Sequence, residues 1–143
     1  MKRACIITAF VILLAVSVGC SKDKVKPSAD SLLATEIINA INNIEEAYEG
    51  KNTIVLQNHL ETPLAESIIK GLVFEKAELT LSTRLIKIKD SMVMVNLNWQ
   101  GTWWTEQGKK AENRGAADFV FHKETIKLLS VDGDNPFRTP AVR

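Results

Sequence analysis

The apolar residues of this 143-residue chain change their spacing near residue 75. Before that point they recur at steps of three and four, which is the period of one face of an α-helix. After it they alternate with polar residues, which is the period of a β-strand. Helices followed by strands are typical of α+β domains. The predicted fold class is therefore α+β, with N-terminal helices packed on a strongly curved antiparallel sheet of about four strands.

Three helices are predicted in the first half of the chain. Asp30 or Ser31 can cap the first helix, and Gly50 fits its C-terminal end, where a positive φ is favoured. A shorter helix covers residues 53–60, and Thr62, which precedes a proline, caps a third. The apolar stripe of the first helix consists of Leu33, Ile37, Ile41, Ile44 and Tyr48.

Four strands are predicted in the second half, and two of them contain a one-residue slip. The apolar parity passes from Leu85 to Ile86 in the first strand, and from Leu128 to Leu129 in the last, which covers residues 126–131. Such a slip moves every later side chain to the other face unless the strand contains a β-bulge. We therefore expect bulges and a bent sheet, with the helices covering its concave side.

The first 21 residues have the layout of a bacterial lipoprotein signal peptide. Two basic residues precede an uncharged run from Ala4 to Gly19, and the segment Ser17-Val18-Gly19-Cys20-Ser21 resembles a lipobox. The uncharged run is shorter than the ~20 residues that cross a bilayer as a helix. An ordinary secretory signal that is cut near Gly19 is the alternative.

Similarity to bacterial lipoproteins implies that residues 1–19 are removed and that Cys20 becomes a lipidated N-terminus. Residues 20–29 then form a tether, and two or more acyl chains give a stable membrane anchor. Ser21 after the cysteine implies the outer membrane, facing the periplasm, if the cell is Gram-negative. Cys5 leaves with the signal peptide and Cys20 is blocked by lipid, so no disulfide is expected.

The expected mature part has no large excess of charge. Removal of Lys2 and Arg3 leaves 16 of the 18 basic side chains against 17 acidic ones, a net charge of −1 with the histidines neutral. No basic stripe appears, so no nucleic-acid partner is expected. Two histidines without an available cysteine argue against a zinc site. We expect neither a metal nor a cofactor.

The order of the elements resembles the nuclear transport factor 2-like (SnoaL-like) group within the cystatin-like folds. The resemblance covers residues 30–137 and rests on that order, on the strand end Trp99-Gln100-Gly101 and on the closing segment 129–137. Residues 138–143 are left as a C-terminal tail. Many members of the group form dimers through the outer face of the sheet. The resemblance therefore also implies a homodimer. The group contains isomerases, dehydratases and hydrolases as well as binding modules, so the fold alone does not select a function.

Enzymes of that group use a pocket aspartate or histidine as acid or base, which makes Asp118, His122 and His59 the catalytic candidates. Asp118 and His122 share strand parity and lie about 13 Å apart along the strand, too far for a direct hydrogen bond. Phe119 and Phe121 have the opposite, core parity, so Asp118 and His122 are expected on the outer face. His59 lies at a helix end, where it can cap carbonyl groups.

Three tryptophans near the end of the second strand, together with Asn96, are the candidate ligand-binding residues. Trp99 has core parity, and Gly101 interrupts the strand pattern before the other two. Trp103 and Trp104 are neighbours, so in an extended strand they face opposite sides. An exposed tryptophan at a sheet end marks a ligand mouth, a dimer surface or a membrane contact, unless both rings pack under neighbouring loops.

The leading hypothesis is a lipid-anchored cell-envelope domain that binds a partner protein or a small apolar ligand without catalysis. It rests on an element order that resembles a known fold, and on the lack of residues that are convincingly placed for acid–base catalysis. The alternative is an isomerase, dehydratase or hydrolase that uses a pocket histidine or aspartate as general base. That alternative requires one of these side chains in a closed, mostly apolar pocket.

Overall fold

The computed structural model describes residues 26–140. The proposed signal peptide, Cys20 and most of the tether lie outside the described residues. Within them three helices precede four strands, which confirms the predicted α+β order. The helices are α1 (Ala29–Glu49), α2 (Thr53–His59) and α3 (Thr62–Lys70), and the strands are β1 (Lys76–Lys89), β2 (Met92–Trp104), β3 (Lys110–His122) and β4 (Leu128–Gly133).

The ends of α1 differ from the predicted ones by one or two residues. Its N-cap is Ser28, whose hydroxyl accepts the Ser31 N–H at 3.1 Å, rather than Asp30 or Ser31. The prediction of a positive φ at Gly50 is wrong, because this residue has φ −80° and its N–H still closes a helical turn. The left-handed residue is Lys51, at φ 52°.

The two short helices connect α1 to the far edge of the sheet. Asn52 caps α2 by accepting the Val55 N–H at 3.2 Å. The N-cap of α3 is Glu61 rather than the predicted Thr62, one residue earlier. Between the two helices, the Glu61 N–H donates to the carbonyl of Leu128 in β4 at 2.9 Å. This contact holds the helical segment against the last strand.

The four strands form one antiparallel meander in the order β1-β2-β3-β4. Both predicted bulges are present: the register shifts between Thr83 and Leu85 in β1, and again where β4 pairs with Val120 and Phe121 of β3. Each shift returns the later apolar residues to the inner face. The last strand starts later than predicted because Ile126 lies in the preceding turn with φ 54°.

The inner face of the sheet and the helices enclose one hydrophobic core. Tyr48 of α1 and Trp103 of β2 are fully buried in it, and the Trp103 Nε1–H donates to the Tyr48 hydroxyl at 2.9 Å. The Tyr48 ring also lies 5.1 Å from that of Phe74 and 5.2 Å from that of Phe137. Beyond Phe137, the Thr139 hydroxyl donates to a helix-end carbonyl. The segment after β4 therefore packs on the domain and helps to close its core.

Gly101 lies inside β2 and does not interrupt it. Its inner face is covered by the indole of Trp103, two residues further along the same face. A Cβ at Gly101 would lie 2.3 Å from this ring, so glycine leaves the space that the indole fills. Trp99, on the other side of the glycine, meets Trp103 edge to face with ring centroids 6.4 Å apart. The glycine is thus a packing feature of a continuous strand.

Candidate functional site

The interior between the helices and the sheet is filled by hydrophobic side chains. Across residues 26–140, no buried residue is charged or belongs to the polar types, and every buried side-chain nitrogen or oxygen has a hydrogen-bond partner. The same part of the chain contains no group of three histidine, cysteine, aspartate or glutamate side chains that could hold a metal ion. None of its helices is long and apolar enough to cross a membrane. The catalytic candidates His59, Asp118 and His122 therefore lie outside the fully buried core.

His59 lies at the end of α2, half-buried, where it contacts α1. Its Nε2 is 3.4 Å from the side-chain nitrogen of Asn43, a contact in which an unprotonated ring nitrogen accepts from the amide. Burial lowers the pKa of His59. The histidine thus sits on the helix side of the domain, away from Asp118 and His122.

Asp118 and His122 lie on the sheet face that the helices leave uncovered. The Asn96 side-chain amide donates to Asp118 Oδ1 at 2.8 Å, and the two residues are cross-strand neighbours. His122 Nδ1 lies 3.3 Å from the Glu124 backbone nitrogen, which donates to it. Asp118 lines an open hollow of about 230 Å³. The structure therefore does not bring the three catalytic candidates together.

Two of the three predicted ligand-binding tryptophans belong to the core. Trp99 is 5% exposed and Trp103 is fully buried. The Trp99 Nε1–H donates to the backbone carbonyl of Asp134 at 2.7 Å, which ties β2 to the segment after β4. Both indole nitrogens are thus occupied within the domain, and Trp103 also lines an open hollow of about 350 Å³ together with Phe74 and Trp104.

Trp104 lies half-buried on the opposite face, as expected for a neighbour of Trp103. Lys76 Nζ lies 4.8 Å from its ring centroid and Lys110 Nζ lies 6.0 Å from it. These distances allow cation–π attraction from both neighbouring strands. Of the predicted ligand contacts, Trp104 and Asn96 are therefore the accessible ones.

The uncovered face, which we call the helix-free face, consists of the outward side chains of β1, β2 and β3. Two adjoining hollows of about 610 and 460 Å³ open onto it, and they share the row Thr80, Gln100 and Arg114. This row follows the strand register directly, because Gln100 pairs with both other residues. We call the combined depression the polar groove; its outward side chains are Glu78, Thr80, Ser82, Asn98, Gln100, Thr102, Glu112 and Arg114.

The β1 edge of the sheet is capped by acidic side chains of α1. Glu49 accepts the Leu79 N–H at 2.5 Å, and Glu45 accepts the Leu81 N–H at 2.6 Å. Burial raises the pKa of Glu45, and the hydrogen bond from Leu81 opposes this shift. Exposed N–H groups of an edge strand invite another strand to pair with them, and these caps occupy two of them.

The β3 strand outruns β4, and side-chain oxygens cap part of its open edge as well. The Ala116 N–H points to the carboxylate of Asp134 at 3.4 Å, and the Arg114 N–H donates to the side chain of Asn113 at 2.9 Å. Gly115 leaves room for Asp134, since a Cβ there would lie 2.6 Å from that side chain. Both edges are thus partly protected, whereas the helix-free face stays open.

A search of solved structures finds this architecture in a nuclear transport factor 2-like (NTF2-like) superfamily protein from Salmonella enterica subsp. enterica serovar Typhimurium str. LT2. The TM-score is 0.65 at 17% identity, over 78% of this chain and 96% of that chain. TsrD from Streptomyces laurentii matches with a TM-score of 0.46 at 11% identity, over 68% of this chain and 89% of that one. No protein-family model matches the chain, and no curated protein is significantly similar to it.

The chain therefore has the fold of the NTF2-like protein, and the fold predicted from its element order is confirmed. At 17% identity this likeness establishes the fold and no activity. Sequence reasoning missed the polar groove, because outward polar residues on alternating strand positions are typical of any solvated sheet. The sequence signal for the groove was the number of uncharged polar residues at the outward positions of these strands.

Proposed function

We propose that this protein is a non-catalytic binding domain, held at the cell envelope by a lipidated Cys20, whose helix-free face binds a partner protein. The filled interior is the observation that supports this most. Tyr48 and Trp103 bond to each other between α1 and the sheet, where an enzyme of this fold would need its pocket. The hollows of about 610 and 460 Å³ lie on the opposite side, in the polar groove, and the hollow beside Phe74 and Trp103 is smaller, at about 350 Å³.

The lining of the polar groove favours a protein partner over a small apolar ligand. Pockets for small apolar ligands are enclosed and lined mostly by hydrophobic side chains. This groove is open, and its lining carries amides, hydroxyls, the guanidinium of Arg114 and the carboxylates of Glu78 and Glu112. Such a surface offers many hydrogen-bond partners of both kinds, and arginine is enriched at the centres of protein interfaces.

The capped edges favour contact through the face rather than strand addition. A partner that extends the sheet needs free N–H groups along an edge. The α1 carboxylates occupy two of these groups on β1, and Asn113 and Asp134 occupy two on β3. A partner that lies across the face needs none of them.

An enzyme that uses His59 or Asp118 as general base has less support. The lowered pKa of His59 keeps the ring in the unprotonated form that a base requires. However, the ring is engaged at a contact between two helices, and Asp118 lines an open hollow on the other face. Neither side chain lies in the closed apolar pocket that this alternative requires.

Photo-cross-linking in the source bacterium tests the binding surface. The full-length protein carries a photoreactive amino acid at Gln100, in the centre of the polar groove, or at Asn39, an exposed amide on α1 that serves as the matched control. We expect one discrete adduct from position 100 and none from position 39. Arg114→Glu should weaken that adduct. Adducts from neither position, or equally from both, would contradict binding through the groove.

The mass of the cross-linked species separates the kinds of partner. An adduct with a different protein supports the proposal, whereas an adduct of twice the mass of this chain identifies a homodimer instead. The proposed anchor has its own test, because mass spectrometry of the mature protein should find acyl chains on Cys20. A mature N-terminus at Ser21, or at Cys20 without lipid, would exclude the anchor and leave the groove result unaffected.

A further inference from the structure

One end of the helix-free face is apolar rather than polar. Leu85, Met92 and Met94 are 43 to 49% exposed there, and they lie on neighbouring positions of β1 and β2. Met94 pairs with Val120 on the far side of β2. Leu85, Met94 and Lys87 also line the same hollow, whose other side is formed by Asn96 and Asp118. The apolar side chains are therefore contiguous across three strands and border on a lysine.

Lysines surround this apolar cluster. Lys87 and Lys89 end β1 beside Met94 and Met92, and Lys123 begins the turn between β3 and β4. The Lys123 N–H donates to the Ser91 carbonyl at 2.8 Å, which joins the two turns at this end of the sheet. We call the combined surface the apolar–basic patch; it comprises Leu85, Met92, Met94, Val120, Lys87, Lys89 and Lys123.

The start of α1 lies at the same end of the domain as this patch. Glu49 bonds to Leu79 and Glu45 to Leu81, so α1 runs antiparallel to β1. From Glu45 back to the start of the helix the rise is about 24 Å. From Leu81 forward to the end of β1 the strand advances about 26 Å. The first residue of α1, where the tether joins, is therefore level with the patch.

The length of the tether decides which end of the domain can reach a bilayer. From Cys20 to Ser28 an extended chain spans at most about 28 Å. The opposite hairpin, residues 105–109, lies beyond the C-terminal end of α1, and this helix alone is about 32 Å long. With the long axis of the domain perpendicular to the membrane and that hairpin downward, Ser28 would therefore lie too far from the bilayer for Cys20 to be anchored in it. The patch end lies within reach of the tether.

We propose that the apolar–basic patch docks on the surface of a bilayer that contains anionic phospholipids. The methionine and leucine side chains enter the boundary between headgroups and acyl chains, and the lysines lie against lipid phosphates. Residues 87–91 and 122–127 carry four lysines against two acidic side chains, and Asp118 in the adjoining hollow adds a third, so the net charge at this end is positive. The proposal rests on the lipidation of Cys20 in the proposed function. It orients the domain so that the polar groove extends away from the membrane.

Fluorescence quenching on the lipidated full-length mature protein tests the docking. Lipid blocks Cys20, so a single introduced cysteine carries the fluorophore: Ser91→Cys in the patch turn, or Gln107→Cys in the opposite hairpin as the matched control. The protein is reconstituted in phosphatidylcholine vesicles with or without phosphatidylglycerol, and nitroxide-headgroup lipids act as the quencher. We expect strong quenching at position 91 only, and we expect it to increase with phosphatidylglycerol and to decrease with added salt.

Charge reversal distinguishes docking from simple proximity to the anchor. Lys87→Glu with Lys89→Glu should remove more than half of the quenching at position 91, and so should Met92→Ser with Met94→Ser. The matched reversal Lys109→Glu with Lys110→Glu, in the opposite hairpin, should leave it unchanged. Because all these side chains are exposed, circular dichroism should find the fold intact in each variant.

Four results would overturn the proposal. Equal quenching at positions 91 and 107 would mean that the domain has no preferred orientation. Quenching that ignores phosphatidylglycerol, salt and the lysine reversals would mean that the tether alone holds the patch near the surface. A detergent-solubilised dimer with position 91 shielded would assign the patch to a second copy. Absence of lipid on Cys20 would also refute it, whereas cross-linking from Gln100 tests the groove separately.

Discussion

The two faces of β2 differ in what their side chains do for the molecule. On the inner face Val93, Val95 and Leu97 are fully buried, and Trp103 fills the space beside α1. On the other face the outward side chains pass from methionine through asparagine to Gln100, and all are at least partly exposed. The inner face therefore fixes the fold. The helix-free face buries none of its β2 side chains completely, and its exposed methionines and polar groove are open to solvent.

The neighbours Trp103 and Trp104 give the largest expected contrast between the faces. Trp103→Ala should lower the free energy of unfolding by about 3–5 kcal/mol, because it leaves a cavity and removes the indole hydrogen bond to the Tyr48 hydroxyl. Trp104→Ala removes a half-exposed ring and its contacts with two lysines, and should cost about 1 kcal/mol. Urea denaturation of the two variants measures both values. Equal losses would mean that the helix-free face contributes to stability as much as the core does.

Substitutions at Gly101 and Gln100 compare the inner and outer faces of β2 at a second pair of neighbouring residues. Gly101→Ala places a methyl group against the Trp103 indole and should cost about 1–3 kcal/mol, since overpacking forces the ring out of its position. Gln100→Ala, on the exposed face, should change stability by less than about 0.5 kcal/mol. Thermal unfolding of both variants provides the measurement. If Gly101→Ala left the stability unchanged, the packing role assigned to this glycine would be refuted.

The α1 carboxylates at the β1 edge define a smaller effect. Glu45→Ala leaves the Leu81 N–H without its acceptor and should cost about 1–2 kcal/mol. It should also increase concentration-dependent association, because an uncapped edge pairs with other strands. Glu46→Ala, an exposed neighbour on the same helix, is the control and should do neither. Urea titration and light scattering are the two measurements. Equal association of the two variants would mean that the uncapped β1 edge is not its cause.

Periodicity predicted most of the fold because packing imposes it. The helix order, the four strands and both bulges follow from where apolar side chains recur, and each parity slip marks the place where a strand must bend. The alternation predicts a strand that starts at Ile126, yet this residue precedes β4 and has a positive φ. A β-branched residue is uncommon in that conformation, so neither propensity nor period predicts it. The contacts around the turn hold it there.

The polar groove was harder to predict than the fold, because it depends on which residues of neighbouring strands pair with one another. Thr80, Gln100 and Arg114 are far apart in the chain, and they form one row only because three strands align. Conversely, Trp99 and Trp103 look like binding residues in sequence, whereas Gly101 provides the space that lets Trp103 lie inside the core. Alternation indicates which face a side chain takes. It does not say whether that face is concave.

His59 provides the smallest expected effect and a test of its position between α1 and α2. Burial lowers the pKa of His59 from its ordinary value of 6.5, so the unfolded chain takes up a proton at a higher pH than the folded protein does. Stability from this residue is therefore complete above pH 6.5 and decreases as the pH falls below that value. His59→Gln should remove this decrease. Urea denaturation between pH 7.5 and 5 should show the difference as a small change in midpoint.

His122→Gln is the matched control, because it removes the other histidine, on the helix-free face. This variant should keep the wild-type pH dependence below 6.5. Glu45, whose pKa is raised by burial, contributes in the opposite direction, since its stability term decreases as the pH rises; it is present in all three proteins and cancels from the comparison. If His122→Gln removed the dependence and His59→Gln did not, the titrating group would lie on the helix-free face. The division between a structural inner side and an open outer one would then need revision.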